Sequence, residues 1–238
     1  MLRRRVWTAA LGAGMLGILG VAAHANAAVF FNGDATRSKS AVFGIDNCKA
    51  PGSISTVDVP GRGPVWKFTK PAGDNRCEAH GIKVDGQMFK FSNNSTYYIS
   101  WESSLSSTVN DNAVFQWKSY GNHIQNFPLV LKMQNGKLTL LNRQPGGKTF
   151  LPFATPVKEN TFNRIILGIH TSDALQGGWA ELFLNGKQET FINGKTRWPC
   201  RTWDDHNDPK WGVYGAQGSS VTNMVDGLKI GTSLADVS

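Results

Sequence analysis

Helical patterning is nearly missing from this chain. After residue 27 no window repeats apolar residues at three- and four-residue spacing for three turns, which excludes helical bundles and alternating βαβ folds. Cysteine is scarce: Cys48, Cys77 and Cys200 show no CxxC or Cys/His spacing, so a zinc module is excluded. Charged residues make up 18% of the chain, and the Lys and Arg are spread rather than blocked. With no basic helix and no RNA-binding motif, nucleic acid is not an expected partner. No Gly-x-Ser-x-Gly elbow is present, which argues against a Ser-His-Asp hydrolase. The Glu-x-Asp-x-x-Glu pattern of sandwich glycoside hydrolases is absent too, and Glu78, Glu102, Glu181, Asp204 and Asp205 are scattered. A hydrolase on this scaffold needs two carboxylates facing one bond.

The only long apolar run lies at the start. Met1-Leu2-Arg3-Arg4-Arg5 precedes an apolar stretch from Trp7 to about Ala23, and Ala25-Asn26-Ala27 has the small-x-small form of a signal peptidase site. Residues 1–27 are expected to be a secretory signal, and residues 28–238 a single exported domain. The expected mature protein is a secreted, extracellular monomer with no membrane association. Loss of Arg3, Arg4 and Arg5 lowers the formal charge from +8 to +5. A mildly basic exported protein favours an acidic ligand through its summed field. Export also favours one disulfide among the three cysteines. Spacing does not fix the pairing; Cys48 with Cys77 is preferred because it closes a short loop over a Gly/Pro-rich segment.

What recurs instead is short aromatic and β-branched runs cut by turn residues. Strands are expected over Ser53–Val59, Val65–Thr69, Arg76–Val84, Thr96–Ser103, Ala113–Ser119, Leu129–Gln134 and Lys137–Asn142. Others are expected over Asn163–Thr171, Trp179–Leu184, Gln188–Phe191, Gly212–Ala216 and Met224–Ile230. Asn135-Gly136, Asn185-Gly186 and Asn193-Gly194 sit between or beside these runs and supply the positive φ angles of tight hairpins. Roughly a dozen strands at this spacing predict an all-β sandwich or jelly roll. The sequons at Asn93 and Asn94 predict a surface turn before Thr96. Two irregular pieces remain, Tyr120–Phe127 and Arg197–Pro209. The second holds Trp198 and Trp203, and Trp-rich rim loops suit the stacking of sugar rings.

Three segments carry polar faces. In Asn112–Lys118, alternation puts Ala113, Phe115 and Trp117 on one side and Asn112, Val114, Gln116 and Lys118 on the other. In Arg76–His80, Arg76, Glu78 and His80 share a face. In Lys210–Tyr214, Lys210, Gly212 and Tyr214 do. Strands of this kind in one sheet line a groove suited to an anionic ligand. The set suits β-elimination from a polyuronate. That reaction removes a proton from the carbon beside a carboxylate, so hydrogen-bond donors must neutralise the carboxylate and the charge that develops. Gln116, Arg76 and Lys118 are candidate donors. His80 and Tyr214 are the candidate acid and base, and a tyrosine beside a cation can serve as either.

These motifs, in this order, resemble jelly-roll polysaccharide lyases. The supporting stretches are Arg76-Cys77-Glu78-Ala79-His80, Phe115-Gln116-Trp117-Lys118 and Lys210-Trp211-Gly212-Val213-Tyr214. Phe127-Pro128-Leu129, Gly178–Lys187 and Val225-Asp226-Gly227-Leu228-Lys229-Ile230 add to them. The chain is most similar to the glucuronan lyase family, polysaccharide lyase family 20, and to its heparin lyase and alginate lyase relatives. The resemblance implies a concanavalin A-like β-jelly roll of two antiparallel sheets with a concave substrate groove. It implies His80, Gln116 and Tyr214 as catalytic residues. Arg76, Lys118, His123, Asn126 and Lys210 are the expected contacts to an acidic polysaccharide. The alginate lyase pattern has Gln-x-His where this chain has Gln116-Trp117-Lys118, and Arg at the place of His80, which favours glucuronan over alginate. Gln217 is one residue out of step with the family's Gln after the Tyr. No cofactor is implied; a structural calcium occurs in some relatives, and no EF-hand-like loop marks a place for one here. The alternatives are a non-catalytic lectin-like module on the same fold and a sandwich glycoside hydrolase.

Overall fold

Aromatic and β-branched alternation resolves, among the described residues, into seventeen strands. The computed structural model describes residues 29–121 and 124–238. The expected signal peptide and His123 lie outside the described residues. In chain order the strands are β1 (Val29–Asn32), β2 (Phe43–Cys48), β3 (Ser53–Val59), β4 (Gly63–Lys70), β5 (Arg76–Val84), β6 (Gln87–Met88), β7 (Thr96–Leu105), β8 (Asn112–Tyr120) and β9 (Leu129–Gln134). They continue as β10 (Lys137–Arg143), β11 (Thr149–Pro156), β12 (Asn163–His170), β13 (Gly178–Leu184), β14 (Lys187–Gln188), β15 (Trp198–Cys200), β16 (His206–Gly215) and β17 (Val221–Gly231).

They form two antiparallel sheets, a jelly-roll-type sandwich whose sheets are not closed. One runs β14-β13-β12-β7-β17-β4-β3, with β1 beside β17 and β15 beside β13. The other runs β11-β10-β9-β8-β16-β5-β2, with β6 beside β5. Aromatic contacts join the inner faces. Trp101 of β7 stacks on Phe115 of β8 at 4.6 Å, and Phe43 of β2 meets Trp66 of β4 edge-on at 5.5 Å. Trp66, Trp101, Trp117 and Trp211 are fully buried, and rings of this size dominate the energetics of a core.

Two Asn-Gly pairs turn hairpins as expected. Asn135 and Gly136 (φ 52° and 70°) join β9 to β10, and Asn185 and Gly186 (φ 52° and 84°) join β13 to β14. Asn94 has φ 52° in a turn before β7. Cys48 and Cys77 face one another across β2 and β5 and are disulfide-bonded, while Cys200 is free and buried. No helix among the described residues is long and apolar enough to cross a membrane.

Several expectations need correction. Val114 does not share the polar face: the register slips between Ala113 and Phe115, and Val114 lies in the core beside Phe115. An extra residue in one strand reverses the alternation beyond it. The run expected over Gln188–Phe191 is strand only at Lys187–Gln188. Arg197–Pro209 is not an irregular rim loop, because it contributes β15 and the first residues of β16, and Trp203 is buried in the core.

A second slip falls between Trp211 and Tyr214 of β16. Gly212 sits there at φ 141°, and a Cβ at that position would stand 2.2 Å from the Cys77 carbonyl oxygen and 2.7 Å from Glu78 Cα. Both neighbours are backbone and cannot swing away. Gly212→Ala is therefore expected to destabilise the fold by about 2–4 kcal/mol, from strain and displaced pairing. Chemical denaturation followed by tryptophan fluorescence checks this; an unchanged midpoint would refute it.

Candidate active site

β16 lies between β8 and β5, so the three polar faces named from the sequence belong to neighbouring strands. Lys210 is opposite Gln116, Asp208 opposite Lys118, Gly212 opposite Glu78, and Tyr214 opposite Arg76. The residues at these positions whose neighbours point into the core present their side chains on the outer face of the second sheet. Gly212, between Lys210 and Tyr214, is buried against the β5 backbone at Cys77 and Glu78.

The middle of the site is a buried polar layer. Gln116 Nε2 donates to Glu78 Oε1 at 2.5 Å. A carboxylate only accepts, so this contact fixes the amide orientation and leaves the second Gln116 N–H for another acceptor. Lys210 Nζ forms an ion pair with Glu78 Oε2 at 3.1 Å and donates to Asn47 Oδ1 of β2 at 2.8 Å. Burial pushes the Glu78 carboxyl up, opposed by Lys210, Gln116 and Arg76. Burial likewise lowers Lys210, opposed chiefly by Glu78. Lys210 is only 2% exposed, so it acts as the internal partner of Glu78. Its expected part as a direct substrate contact is not what the structure shows.

At one end, His80 Nδ1 contacts Asp208 Oδ2 at 2.8 Å, and the same oxygen accepts the Gly81 N–H at 2.7 Å. Because the carboxylate accepts, Nδ1 carries the proton in this contact. The Tyr120 ring stacks on His80 with centroids 5.1 Å apart, its hydroxyl 3.3 Å from Nε2. Burial first, then the Asp208 and Glu78 carboxylates, raise the Tyr120 hydroxyl above its ordinary value; Tyr120 is thus a proton-bearing phenol. A cavity of about 470 Å³ opens here, lined by His80, Tyr120, His206, Asp208, Asn47 and Lys90 among others.

At the other end, the Arg76 guanidinium lies 4.8 Å from the Tyr214 ring centroid. A second cavity of about 320 Å³ adjoins it, lined by Arg76, Asn75, Asp74, Asn47 and the Cys48 region. Arg76 is exposed and Tyr214 partly so. His80 is four residues along β5 from Arg76, the residue opposite Tyr214, which is about 13 Å of extended strand. Tyr120, not Tyr214, is therefore the tyrosine in contact with His80.

Lys118 borders the layer. Its ammonium donates to the carbonyl oxygens of Ser119 and Asn126 and to Asn126 Oδ1, and lies 4.9 Å from the Tyr120 ring centroid. Asn126 thus holds Lys118 in place. Burial, then repulsion from Lys210 and Arg76, lowers Lys118 to about 8. It is a cation below that pH and neutral above it, so its attraction for an anion is nearly full at neutral pH and fades as pH rises through 8. Binding of an anionic ligand to this face is expected to weaken from about pH 7 to about pH 10, and Lys118→Arg, which stays charged, should flatten that dependence. Titration calorimetry at both ends checks this; identical pH profiles for the two proteins would refute it.

Four site residues escaped assignment from the sequence. Tyr120 and Asp208 lie on the same period-two faces as Gln116 and Lys210, so extending those faces by two residues finds them. Glu78 shares the polar face of Arg76 and His80, and its part is set by its partners Gln116 and Lys210 on the neighbouring strands. Asn47 had no signal, because β2 carries turn-type residues and is defined by its pairing with β5. Among the described residues no group of three or more His, Cys, Asp or Glu side chains is placed to hold a metal ion.

No protein-family model matches the chain, and no curated protein matches it in sequence. Solved structures do resemble it. A family 7 alginate lyase bound to product superposes with a TM-score of 0.54 at 14% identity, over 75% of this chain and 83% of that one. A cellulose-induced protein gives 0.55 at 13%, over 79% and 88%. A carbohydrate esterase from a Shiga toxin-encoding bacteriophage gives 0.59 at 11%, over 87% and 99%. At these identities the likeness establishes the shared jelly-roll fold.

Proposed function

We propose that this is an exported polysaccharide lyase that cleaves an acidic polyuronate, with β-1,4-linked polyglucuronate as substrate. The observation that carries the reading is the composition of one sheet face. Arg76, Lys118, Tyr214 and an oriented Gln116 amide are brought together on the outer face of the neighbouring strands β5, β8 and β16. The fold is also that of a protein described as an alginate lyase.

The uronate carboxylate takes the free Gln116 N–H and the Arg76 guanidinium. Neutralising it makes the adjacent C5–H acidic enough to remove. Tyr214 acts as the base and takes the C5 proton. The electron pair forms the C4=C5 double bond, the C4–O bond breaks, and the leaving oxygen receives the proton from Tyr214. A single residue serving both steps agrees with the pairing of His80 to Asp208 and Tyr120 rather than to Tyr214. His80, held by Asp208 and Tyr120, binds the neighbouring sugar at the other end of the face.

One observation favours a non-catalytic sugar-binding module: His80 and Gln116 are each only 5% exposed, engaged mainly by protein partners. Incubation with polyglucuronate, alginate, heparin and a neutral glucan separates the two. The lyase reading expects rising ultraviolet absorbance from unsaturated uronate ends, strongest with polyglucuronate. Binding to these polymers without any rise would move the assignment to the module.

A further inference from the structure

The sandwich carries a second concavity away from the candidate active site. It opens where β10 and β11 of one sheet meet β15 of the other, and its volume is about 460 Å³. Asn142 of β10 is two residues from Leu140 and shares its inward side. The concavity therefore belongs to the mouth between the sheets, not to the outer face that carries Gln116 and Tyr214.

Its walls combine rings, amides and one cation. Phe150 and Trp198 lie 5.8 Å apart, centroid to centroid, and are inclined at 56°. The Trp198 indole N–H donates to Asn142 Oδ1 at 3.2 Å, and Gln144 Nε2 donates to the same oxygen at 2.8 Å. These bonds hold the indole in one orientation. Lys148 Nζ stands 5.0 Å from the Phe150 ring centroid, and Gln176 and Asn193 complete the polar lining. Leu175 is 64% exposed beside them.

We infer that this concavity is an accessory binding site for a stretch of acidic polysaccharide outside the reacting segment. The inference rests on the proposed polyuronate reading. Fixed aromatic rings offer an apolar platform to the C–H face of a pyranose. The amides match its hydroxyls, and Lys148 matches a carboxylate. A largely apolar pocket with a few placed polar groups is the common form of a ligand site. Two contacts to one polymer raise its avidity without new chemistry at the first site.

Lys148→Glu and Trp198→Ala test this by affinity electrophoresis in polyglucuronate gels, alongside turnover of a short oligoglucuronate. Roughly tenfold weaker polymer binding is expected for Lys148→Glu, the worth of one well-placed contact, with short-substrate turnover unchanged. Trp198 packs partly on the core, so its melting temperature is compared first, and Lys148→Glu carries the test if Trp198→Ala unfolds. Polymer binding equal to wild type in Lys148→Glu and any folded Trp198→Ala overturns the inference, as does failure of the wild type to bind polymer. If the wild type binds but never cleaves, and the variants bind less, the lyase reading falls while the accessory site stands.

Discussion

Tyr214→Phe is expected to lower the rate of polyglucuronate cleavage by about 10²–10⁴-fold, the usual worth of a positioned general acid–base group. Removing the hydroxyl leaves the ring under the Arg76 guanidinium, 4.8 Å away, so packing and carboxylate recognition persist. The loss should fall in kcat with KM nearly unchanged, as for an interaction made only in the transition state. Initial rates by ultraviolet absorbance check it, with circular dichroism confirming the fold. A variant retaining half the wild-type rate would remove Tyr214 from the chemistry. Tyr120→Phe would then be the next test, since Tyr120 contacts His80.

The second large effect concerns the buried layer. Glu78→Ala would leave the Lys210 ammonium, 2% exposed, without its carboxylate. Breaking a buried pair from one side costs about 3–5 kcal/mol. For a chain of this size that is a fall in melting temperature on the order of 10 °C. The same change frees the Gln116 amide, which Glu78 now orients at 2.5 Å, so activity should fall further than stability explains. Adding Lys210→Met removes the stranded charge and should restore much of the stability but not the activity. Differential scanning calorimetry on the three proteins checks this. A Glu78→Ala protein that melts with the wild type would mean that the layer is not held by this pair.

The alternation of Arg76–Val84 and Asn112–Tyr120 is plain in the sequence because one face of each is aromatic or small and the other charged. That was enough to bring Arg76, His80, Gln116 and Lys118 to one surface. What could not be read were the slips. Val114 turns inward because β8 carries one residue more than β9 can pair, and nothing in its local sequence marks that. The Trp211–Tyr214 slip is signalled only by Gly212. Long-range partners were also hidden: Asp208 reaches His80 across 128 positions, and Asn47 sits in a strand whose residues favour turns. The segment Arg197–Pro209 looked like a polar, Trp-bearing loop. Asp204 is instead fully buried, meeting Arg201 Nη2 at 3.0 Å and accepting the Gln125 N–H, also at 3.0 Å. Polar composition predicts exposure only while its charges lack partners.

The most direct test of the account is the mass of the fragments released from polyglucuronate. Elimination adds no water, so each cleavage should leave one unsaturated end and fragments whose masses sum to that of the polymer. Fragments each carrying the elements of water would make the protein a hydrolase, and an intact polymer would make it a binding module; either would contradict the account.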